Sequence, residues 1–210
     1  MTTLMVIAKE PRPGRVKTRL TPPYTPEEAA ALAEASLADT LAVVMASPAE
    51  RRLLVLDGTP GQWLPGEIEV IPQTGGGLDE RLAAAFALCD GPALLIGMDT
   101  PQITPELLRP ALLPGSDDPA DAWFGPATDG GFWALGLRKP DPILLRGVPM
   151  STPDTGQVQR RRLTGAGLVV RDLPELRDVD TAPDAEAVAA QAPGSRFAAA
   201  VARFAPAGAR

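Results

Sequence analysis

The first half of the chain alternates between two hydrophobic patterns. Short, uninterrupted apolar runs predict buried β-strands at residues 3–8, 52–57, 68–71 and 93–97. Longer segments that are rich in strong helix formers predict helices at residues 26–46, 78–89 and 105–113. Fully apolar short strands that alternate with helices are typical of parallel sheets covered on both faces. The pattern therefore predicts an α/β fold with a mostly parallel central sheet and helices on both faces.

The second half is less regular but continues the same architecture. The predicted elements are a strand–turn–strand segment, a helix, a strand and two alanine-rich helices, at residues 123–137, 153–163, 168–173, 183–192 and 195–204. The sequence contains no long linker and no internal repeat. Residues 1–210 are therefore predicted to form a single domain.

Charge and composition narrow the classes of function. The 210 residues carry a formal net charge of −6, which argues against a general nucleic-acid-binding surface but allows one local anion site. The chain has no histidine, so histidine triads, histidine metal sites and histidine acid–base chemistry are excluded. Catalysis would have to use carboxylates, lysine, arginine, hydroxyl groups, backbone amides or a metal bound by oxygen ligands.

The N-terminus, the apolar runs and the cysteine content bear on the cellular location of the protein. Residues 1–11 lack the long apolar segment of a signal peptide, and no apolar run approaches the length of a membrane span. The single cysteine, Cys89, lies in an apolar segment, which predicts a buried inert thiol and excludes an intrachain disulfide. We therefore expect a cytoplasmic protein that binds neither a membrane nor a nucleic acid.

A cluster of cationic residues directly follows the first predicted strand. The segment KEPRPGRVKTRL (residues 9–20) carries five cationic side chains within an acidic chain. It is not a phosphate-binding P-loop, because the two positions that this motif requires to be glycine hold proline and valine. In an extended backbone Arg15, Lys17 and Arg19 would point the same way, at the sheet edge where α/β proteins bind ligands. Two interpretations remain open, a site for an anionic ligand and a solvated basic loop.

Four further segments carry polar residues at loops or strand ends. GGGLDERL (residues 75–82) has three glycines before a predicted helix, which would let a ligand approach the backbone, although an ordinary helix cap has the same pattern. Asp99 follows the fourth predicted strand, where a carboxylate suits Mg²⁺ or Mn²⁺ but also suits an Asx turn before proline. Asp178 and Asp180 stand two residues apart and would face the same way, or cap the following helix. Asp129, in TDGGF, lies in a predicted hairpin turn, and a functional carboxylate is the alternative.

Taken in order, these motifs resemble a bacterial family of GT-A-type transferases, often labelled glycosyltransferases, in the nucleotide-diphospho-sugar transferase superfamily. The segments that carry the resemblance are AKEPRPGRVKTRL, QTGGGLDERL, IGMDTPQITPELL, GPATDGGFWALGL, STPDT and RDVDTAPD. The resemblance covers nearly the whole chain, from Leu4 to about Ala187. The first loop is also similar to that of the guanylyltransferase that activates phospholactate. The resemblance implies a single-domain, Rossmann-like GT-A fold. Two positions depart from the family pattern, since Asp79 replaces a glycine and Met150 replaces an aromatic residue before Ser151.

The resemblance also implies roles for individual residues. A nucleotide would contact a phosphate-binding loop and a base-lining segment at Lys9, Gly14, Arg15, Lys17, Thr18, Arg19, Gln73, Gly76, Gly77 and Arg81. Asp99 and Asp180 would bind Mg²⁺ or Mn²⁺, and Asp129 would be the carboxylate on the acceptor side. Lys17, Arg19 and Asp129 are accordingly the candidate catalytic residues.

Two reactions fit this set of residues. In nucleotidyl transfer an acceptor phosphate attacks the α-phosphate of a nucleoside triphosphate, and because this nucleophile is already ionised, catalysis needs positioning and charge neutralisation rather than a base. In glycosyl transfer a nucleotide-sugar donates its sugar, and an inverting enzyme needs a carboxylate base such as Asp129 for the acceptor hydroxyl. The cationic loop favours nucleotidyl transfer to a small phosphorylated acceptor, since a triphosphate carries more charge than a nucleotide-sugar. A nucleotide-binding protein without turnover is the third interpretation.

Overall fold

Seven β-strands form the centre of the fold in the computed structural model, which describes residues 1–204. They are β1 (Thr3–Lys9), β2 (Arg51–Asp57), β3 (Glu69–Pro72), β4 (Ala93–Gly97), β5 (Ala122–Pro126), β6 (Phe132–Leu137) and β7 (Val170–Asp172). Their order across the sheet is β3-β2-β1-β4-β6-β5-β7. Strand β6 runs antiparallel to its neighbours β4 and β5, and the other pairs are parallel. The sheet is therefore mostly parallel, as the hydrophobic pattern predicts.

Helices cover both faces of this sheet. Within residues 1–204 they are α1 (Pro26–Ala46), α2 (Leu78–Phe86), α3 (Pro105–Leu112), α4 (Thr155–Gly165), α5 (Ala182–Gln191) and α6 (Arg196–Phe204), with short 3-10 helices at Thr18–Leu20 and Pro142–Leu144. Alternate residues of β1 enter different layers, since Val6 packs in one core cluster with Leu41 of α1. Its neighbour Met5 packs in the other core cluster with Phe86 of α2. Because both faces of the strand are buried, β1 is apolar at almost every position.

A third apolar cluster joins α5 and α6 to the outer side of α1. It contains Leu32 of α1, Val188 of α5 and Phe197 of α6, all fully buried. The buried carboxylate of Asp39 accepts hydrogen bonds from the backbone N–H groups of Arg196 at 3.1 Å and Phe197 at 2.8 Å. One α1 side chain therefore satisfies two of the free amides at the start of α6.

The longest helix, α1, begins with a capping box and lies in the core. The Thr25 hydroxyl accepts from the amide of Glu28 at 3.1 Å, and the Glu28 carboxylate accepts from the amide of Thr25 at 2.8 Å. By length and mean hydropathy α1 is also long and apolar enough to cross a membrane, but 56% of that 18-residue window is buried inside the fold. The expectation that no apolar run approaches the length of a membrane span therefore does not hold for α1.

The structure confirms the predicted fold class and differs from the predicted elements at their ends. Helix α2 ends at Phe86 rather than at residue 89, because a closing turn follows in which the amide of Leu88 bonds to the carbonyl of Ala85 at 3.2 Å. The strand predicted at residues 168–173 is the three-residue β7. Cys89 is half-buried rather than buried. None of these differences changes the course of the chain through the sheet.

Candidate functional site

The carboxyl ends of β1 and β4 open into a cavity of about 740 Å³. Its walls come from the loop after β1, the start of α2, the β4–α3 loop, the β5–β6 hairpin, the loop before α4 and the segment before α5. Open α/β sheets bind ligands at this edge. All five segments that carry candidate residues in the sequence therefore contribute to one cavity.

The Lys17 side chain is enclosed by oxygen atoms in this cavity. Its ammonium nitrogen lies 2.8 Å from Oδ1 of Asp99 and 3.4 Å from Oδ1 of Asp180, and it donates a short hydrogen bond to the carbonyl of Val179. The contact with Asp99 is an ion pair without hydrogen-bond alignment, and 7% of the Lys17 side chain is exposed. Burial alone would lower the pKa of Lys17, but the charges of Asp99 and Asp180 outweigh it and raise this pKa above its usual value. Lys17 is therefore a cation bound between two carboxylates.

The backbone of the cationic loop corrects one expectation. Lys17 lies in the left-handed region, with φ 50° and ψ 38°, and a 3-10 helix follows directly. A non-glycine residue in this conformation costs on the order of 1 kcal/mol, which the contacts of the ammonium must offset. The expectation that Arg15, Lys17 and Arg19 point the same way from an extended backbone is therefore wrong. All three still line the cavity, but Lys17 is turned inward while Arg15 and Arg19 are exposed.

The remaining residues of this loop face outward. Arg19 is 72% exposed, and its guanidinium lies 3.2 Å from Oδ2 of Asp180. Arg15 is exposed and lines the cavity without an ion pair to any residue in the described part of the chain. The other candidate residues of the loop, which are also exposed, are Lys9, Gly14 and Thr18. A ligand in the cavity can therefore reach Arg15 and Arg19 without displacing a buried group.

Three carboxylates meet beside Lys17. One oxygen atom from each of Asp129, Asp178 and Asp180 lies within 4.8 Å of the other two. Desolvation, followed by the negative charges of Asp129 and Asp180, raises the pKa of Asp178 from its usual 3.8 to about 6. Asp178 is the member of this cluster that the sequence did not select as a site residue. Its signal was the two-residue spacing from Asp180, which places both side chains on one side of the segment.

Asp129 is held by a tight turn, as the hairpin prediction expects. Its Oδ1 accepts a hydrogen bond from the amide of Gly131 at 2.7 Å. Gly130 has φ 89°, and a Cβ at this position would lie 2.0 Å from the carbonyl oxygen of Pro153. The amide of Gly156, in the first turn of α4, donates to the carbonyl of Gly130 at 2.8 Å. Glycine is therefore required at residue 130 to bring the hairpin against the start of α4.

Gln73 and Arg81 form a fixed pair in the cavity wall. The side-chain amide of Gln73 donates to the carbonyls of Ala8 at 2.7 Å and Val55 at 3.0 Å. Its carbonyl oxygen accepts from Nη1 of Arg81 at 3.0 Å. The Gln73 side chain is thus committed to the protein, and it positions a guanidinium whose Nη2 makes no hydrogen bond within residues 1–204. Arg81 is therefore the member of the pair that is free to contact a ligand.

The glycine segment before α2 lies outside the cavity wall. Gly76 has φ 100°, and the amide of Gly77 donates to the carboxylate of Glu80 at 2.9 Å, which is an ordinary helix cap. Asp79, one of the two departures from the family pattern, accepts a hydrogen bond from the amide of Gly147 at 2.8 Å. The other departure, Met150, is half-buried in the cavity wall. Asp79 thus has a structural contact that glycine could not make.

Two overlapping sets of oxygen atoms suit a hard divalent cation. One set comprises Asp99, Asp180 and the carbonyl of Val179. The Lys17 ammonium lies among these oxygens, where a metal ion would bind. The other set is the cluster of Asp129, Asp178 and Asp180. Carboxylate and carbonyl oxygens are the ligands that Mg²⁺ and Mn²⁺ prefer. Asp180 belongs to both sets, so the two positions are adjacent.

Comparison with solved structures places the chain in the nucleotide-diphospho-sugar transferase fold. A candidate nucleotide-diphospho-sugar transferase from Desulfovibrio desulfuricans G20 is 26% identical, has a TM-score of 0.82 and is matched over 97% of both chains. CMP:2-keto-3-deoxy-manno-octonic acid synthetase in complex with CTP is 15% identical with a TM-score of 0.56, over 91% of this chain and 97% of that chain. Rv0371c from Mycobacterium tuberculosis H37Rv in complex with manganese is 20% identical with a TM-score of 0.51, over 89% and 96%. At these lower identities the last two show a likeness of fold alone.

The sequence also matches a protein family. No curated protein matches it. A family profile matches residues 29–152, which is more than half of the 210 residues and includes Gln73, Arg81, Asp99 and Asp129. The resemblance to GT-A-type transferases that the motifs suggest is confirmed by the Desulfovibrio structure. The chain therefore belongs to the family described as "Uncharacterized protein conserved in bacteria (DUF2064)".

Proposed function

We propose that the protein is a divalent-cation-dependent nucleotidyltransferase that acts on a nucleoside triphosphate and a small phosphorylated acceptor. The observation that carries the proposal is the meeting of a cationic loop and a carboxylate cluster in one cavity at the ligand-binding edge of the sheet. A polyphosphate needs cations on one side and a bound metal on the other. This cavity offers the cations and the carboxylates that would hold the metal. Support for a nucleotide ligand comes from a protein of the same fold that binds CTP.

The reaction requires positioning and charge neutralisation. An oxygen of the acceptor phosphate forms a bond to the α-phosphorus, the α–β phosphoanhydride bond breaks, and pyrophosphate leaves with its electron pair. Arg15 and Arg19 are exposed cations on the loop, and we assign them, with Lys9, Gly14 and Thr18, to the phosphates of the triphosphate. We assign Lys17 to the same group once its carboxylate partners bind a metal. Because the acceptor phosphate is ionised at neutral pH, no histidine or other base is required.

A divalent cation, Mg²⁺ or Mn²⁺, completes the proposed site. Asp99 and Asp180 would hold it, with Asp129 and Asp178 adjacent, and it would neutralise charge on the phosphates. The chain's own oxygen atoms support this assignment, since they already surround the Lys17 ammonium. Support from outside the chain is the manganese complex of a protein with the same fold.

The base of the nucleotide would lie toward α2. Leu78 and Leu82 form an apolar part of the cavity wall there, next to the Gln73–Arg81 pair. A flat base suits such a wall, and the Arg81 guanidinium would donate to its acceptor atoms. Gly76 and Gly77 precede α2 outside the cavity wall, so we assign the contacts with the base to the side chains of α2 rather than to these glycines.

Glycosyl transfer from a nucleotide-sugar is the second candidate function. The specific observation in its favour is Asp178, whose pKa of about 6 lies near the pH at which a general base works, with Asp129 beside it. The Desulfovibrio protein with the same fold is also a candidate nucleotide-diphospho-sugar transferase. A nucleotide-sugar carries less phosphate charge than a triphosphate for Arg15, Lys17 and Arg19 to bind. Glycosyl transfer is therefore the second candidate.

Isotope exchange tests the choice between the two reactions. Labelled pyrophosphate would be incubated with the protein, Mg²⁺ or Mn²⁺, each common nucleoside triphosphate and a mixture of small phosphorylated acceptors. Incorporation of label into one triphosphate, lost in Asp180→Asn, is the expected result. Hydrolysis of a nucleotide-sugar to free sugar without such exchange would instead establish glycosyl transfer. Nucleotide binding that survives Asp99→Ala and Asp180→Ala without metal, and without turnover, would establish a non-catalytic binding protein.

Matched loop variants test the phosphate assignment. Arg19→Met is expected to weaken nucleotide binding on the order of tenfold or more, because a charge-assisted contact to phosphate is lost. Arg12→Met is the control, since Arg12 is 59% exposed, contacts Glu10 at 3.6 Å and does not line the main cavity. Equal nucleotide affinity in the two variants would contradict the assignment of Arg19.

A further inference from the structure

The Lys17 ammonium occupies the position at which a cation would bind between Asp99 and Asp180. Three oxygen atoms converge on it, one from each carboxylate and one from the carbonyl of Val179. The Val179 carbonyl and Asp180 accept hydrogen bonds from it, and Asp99 attracts it as a charge at 2.8 Å. The side chain is 7% exposed, which leaves little space for an additional ion beside it.

The surrounding chain holds this arrangement in place. The left-handed backbone of Lys17 directs its side chain inward. The amide of Val179 donates to the carbonyl of Asp99 at 3.0 Å, which fixes the two carboxylate-bearing segments to each other. Asp99 and Asp180 therefore lie on neighbouring segments joined through the backbone, and a cation can bind between their carboxylates.

A phosphate and the two carboxylates cannot hold Lys17 at the same time. In the present position the ammonium is buried among these protein oxygens, and contact with a phosphate in the cavity would require it to turn away from them. Turning away leaves two like charges and a carbonyl oxygen facing one another, which is a set of hard ligands without a cation. A divalent cation that enters as Lys17 leaves would remove the repulsion between these oxygen atoms.

We propose that Lys17 is the resident counter-ion of the Asp99–Asp180 pair, and that a divalent cation binds this pair only by displacing it. This inference rests on the metal of the proposed function and adds a mechanism for its entry. Lys17 thereby makes the metal site weak in the protein alone. It also releases a lysine toward the phosphates at the moment when metal and nucleotide bind together.

The lysine content of the chain allows a direct test on the unmodified protein. The sequence has three lysines, Lys9, Lys17 and Lys139, and Lys9 and Lys139 are exposed. Brief labelling with an amine-reactive reagent at fixed pH, followed by peptide mass spectrometry, reports all three. Without metal, Lys17 is expected to react on the order of tenfold or more slowly than the other two, because its ammonium is buried and paired. Addition of Mn²⁺ is expected to raise the labelling of Lys17 severalfold and to leave Lys9 and Lys139 unchanged, while NaCl at matched ionic strength raises none of them.

A matched pair of variants measures the same competition from the side of the metal. Lys17→Met is expected to bind Mn²⁺ on the order of tenfold or more tightly than the unsubstituted protein, without nucleotide, because the competing charge is gone. Arg15→Met removes an equal charge from the same loop without touching a carboxylate, and its Mn²⁺ affinity is expected to stay within about twofold of the unsubstituted protein. Free Mn²⁺ measured by electron paramagnetic resonance gives the affinities.

The outcomes separate this inference from the proposed function. Mn²⁺ binding that leaves Lys17 protected would place the metal among Asp129, Asp178 and Asp180 and would overturn the displacement. Weaker or unchanged Mn²⁺ binding in a folded Lys17→Met would also overturn it, and the labelling result decides the matter if that variant does not fold. Because neither readout involves nucleotide or turnover, pyrophosphate exchange can succeed or fail independently.

Discussion

Replacing Asp178 by asparagine is expected to stabilise the metal-free protein above pH 6. The folded state raises the pKa of Asp178 from 3.8 to about 6, so it binds this proton more tightly than the unfolded chain does. At pH values below 3.8 the carboxyl group is protonated in both states and has no effect. Between pH 3.8 and about 6 the unfolded chain loses the proton first, so the free energy of unfolding falls as the pH rises. Above about pH 6 the full penalty of the buried charge is present.

The size of the effect follows from this change in pKa. At about 1.36 kcal/mol for each pH unit, the change corresponds to at most ~3 kcal/mol. Asp178 is half-buried, and solvent screens its interaction with Asp129 and Asp180. We therefore expect Asp178→Asn to gain about 1–2 kcal/mol, which corresponds to a rise in Tm of about 2–8 °C for a chain of this length.

Urea unfolding in EDTA at pH 4 and pH 8 measures this difference. The matched control is Asp90→Asn, which removes an exposed carboxylate before β4, at the opposite edge of the sheet. The gain is expected at pH 8 for Asp178→Asn, with little gain at pH 4 and none for the control. With Mn²⁺ the order is expected to reverse, because a cation that binds the native carboxylates stabilises the unsubstituted protein more. A loss of stability at pH 8, or an equal gain at both pH values, would refute the reasoning.

Two further predictions concern positions where the backbone is held. Gly130→Ala is expected to lower the free energy of unfolding by about 2 kcal/mol or more, because φ is 89° and the new Cβ would lie 2.0 Å from the carbonyl of Pro153. Gly165→Ala, in open space at the end of α4, is the control and is expected to change it by about 0.5 kcal/mol or less; thermal unfolding compares the two. Asp39→Ala is expected to cost about 1–2 kcal/mol, because the first amides of α6, including that of Phe197, lose their acceptor. Relative to the unsubstituted protein, hydrogen exchange in Asp39→Ala should become faster in α6 than in the central strands. An equal increase in both would contradict this role.

The fold was predictable because its signals are local and repeated. Each buried strand near the centre of the sheet is an uninterrupted apolar run, and β4 (Ala93–Gly97) was predicted with its observed bounds. The start of α1 was predictable for the same reason, since the helix formers begin directly after Pro26. The ends of α2 and β7 were less predictable, because they depend on where tertiary contacts stop rather than on which residues are present.

The candidate site was predictable as a set of segments but not as a set of contacts. The carboxyl ends of parallel strands meet at one edge, which is enough to bring Asp99 and the cationic loop together. The inward turn at Lys17 was not visible, because lysine is uncommon in the left-handed region and the sequence offers no glycine there. Asp178 and Asp129 are far apart in the sequence, and they meet because the hairpin packs beside the segment before α5. Residue spacing does not predict such a tertiary contact.

The local charge of the cavity differs from that of the whole chain and suits the polyanion of the proposed function. The whole sequence has a formal net charge of −6, yet the cavity wall contains five cationic side chains against four carboxylates. The cations are Lys9, Arg15, Lys17, Arg19 and Arg81, and the carboxylates are Asp99, Asp129, Asp178 and Asp180. Lys17 and Arg19 are paired with carboxylates. Within residues 1–204, the cations of this wall without a carboxylate partner are Lys9, Arg15 and Arg81. A divalent cation at the carboxylates would release Lys17 and add two charges, so metal binding changes a nearly balanced cavity into a strongly positive one. Affinity for a triphosphate should therefore depend on the divalent cation more steeply than on any single arginine.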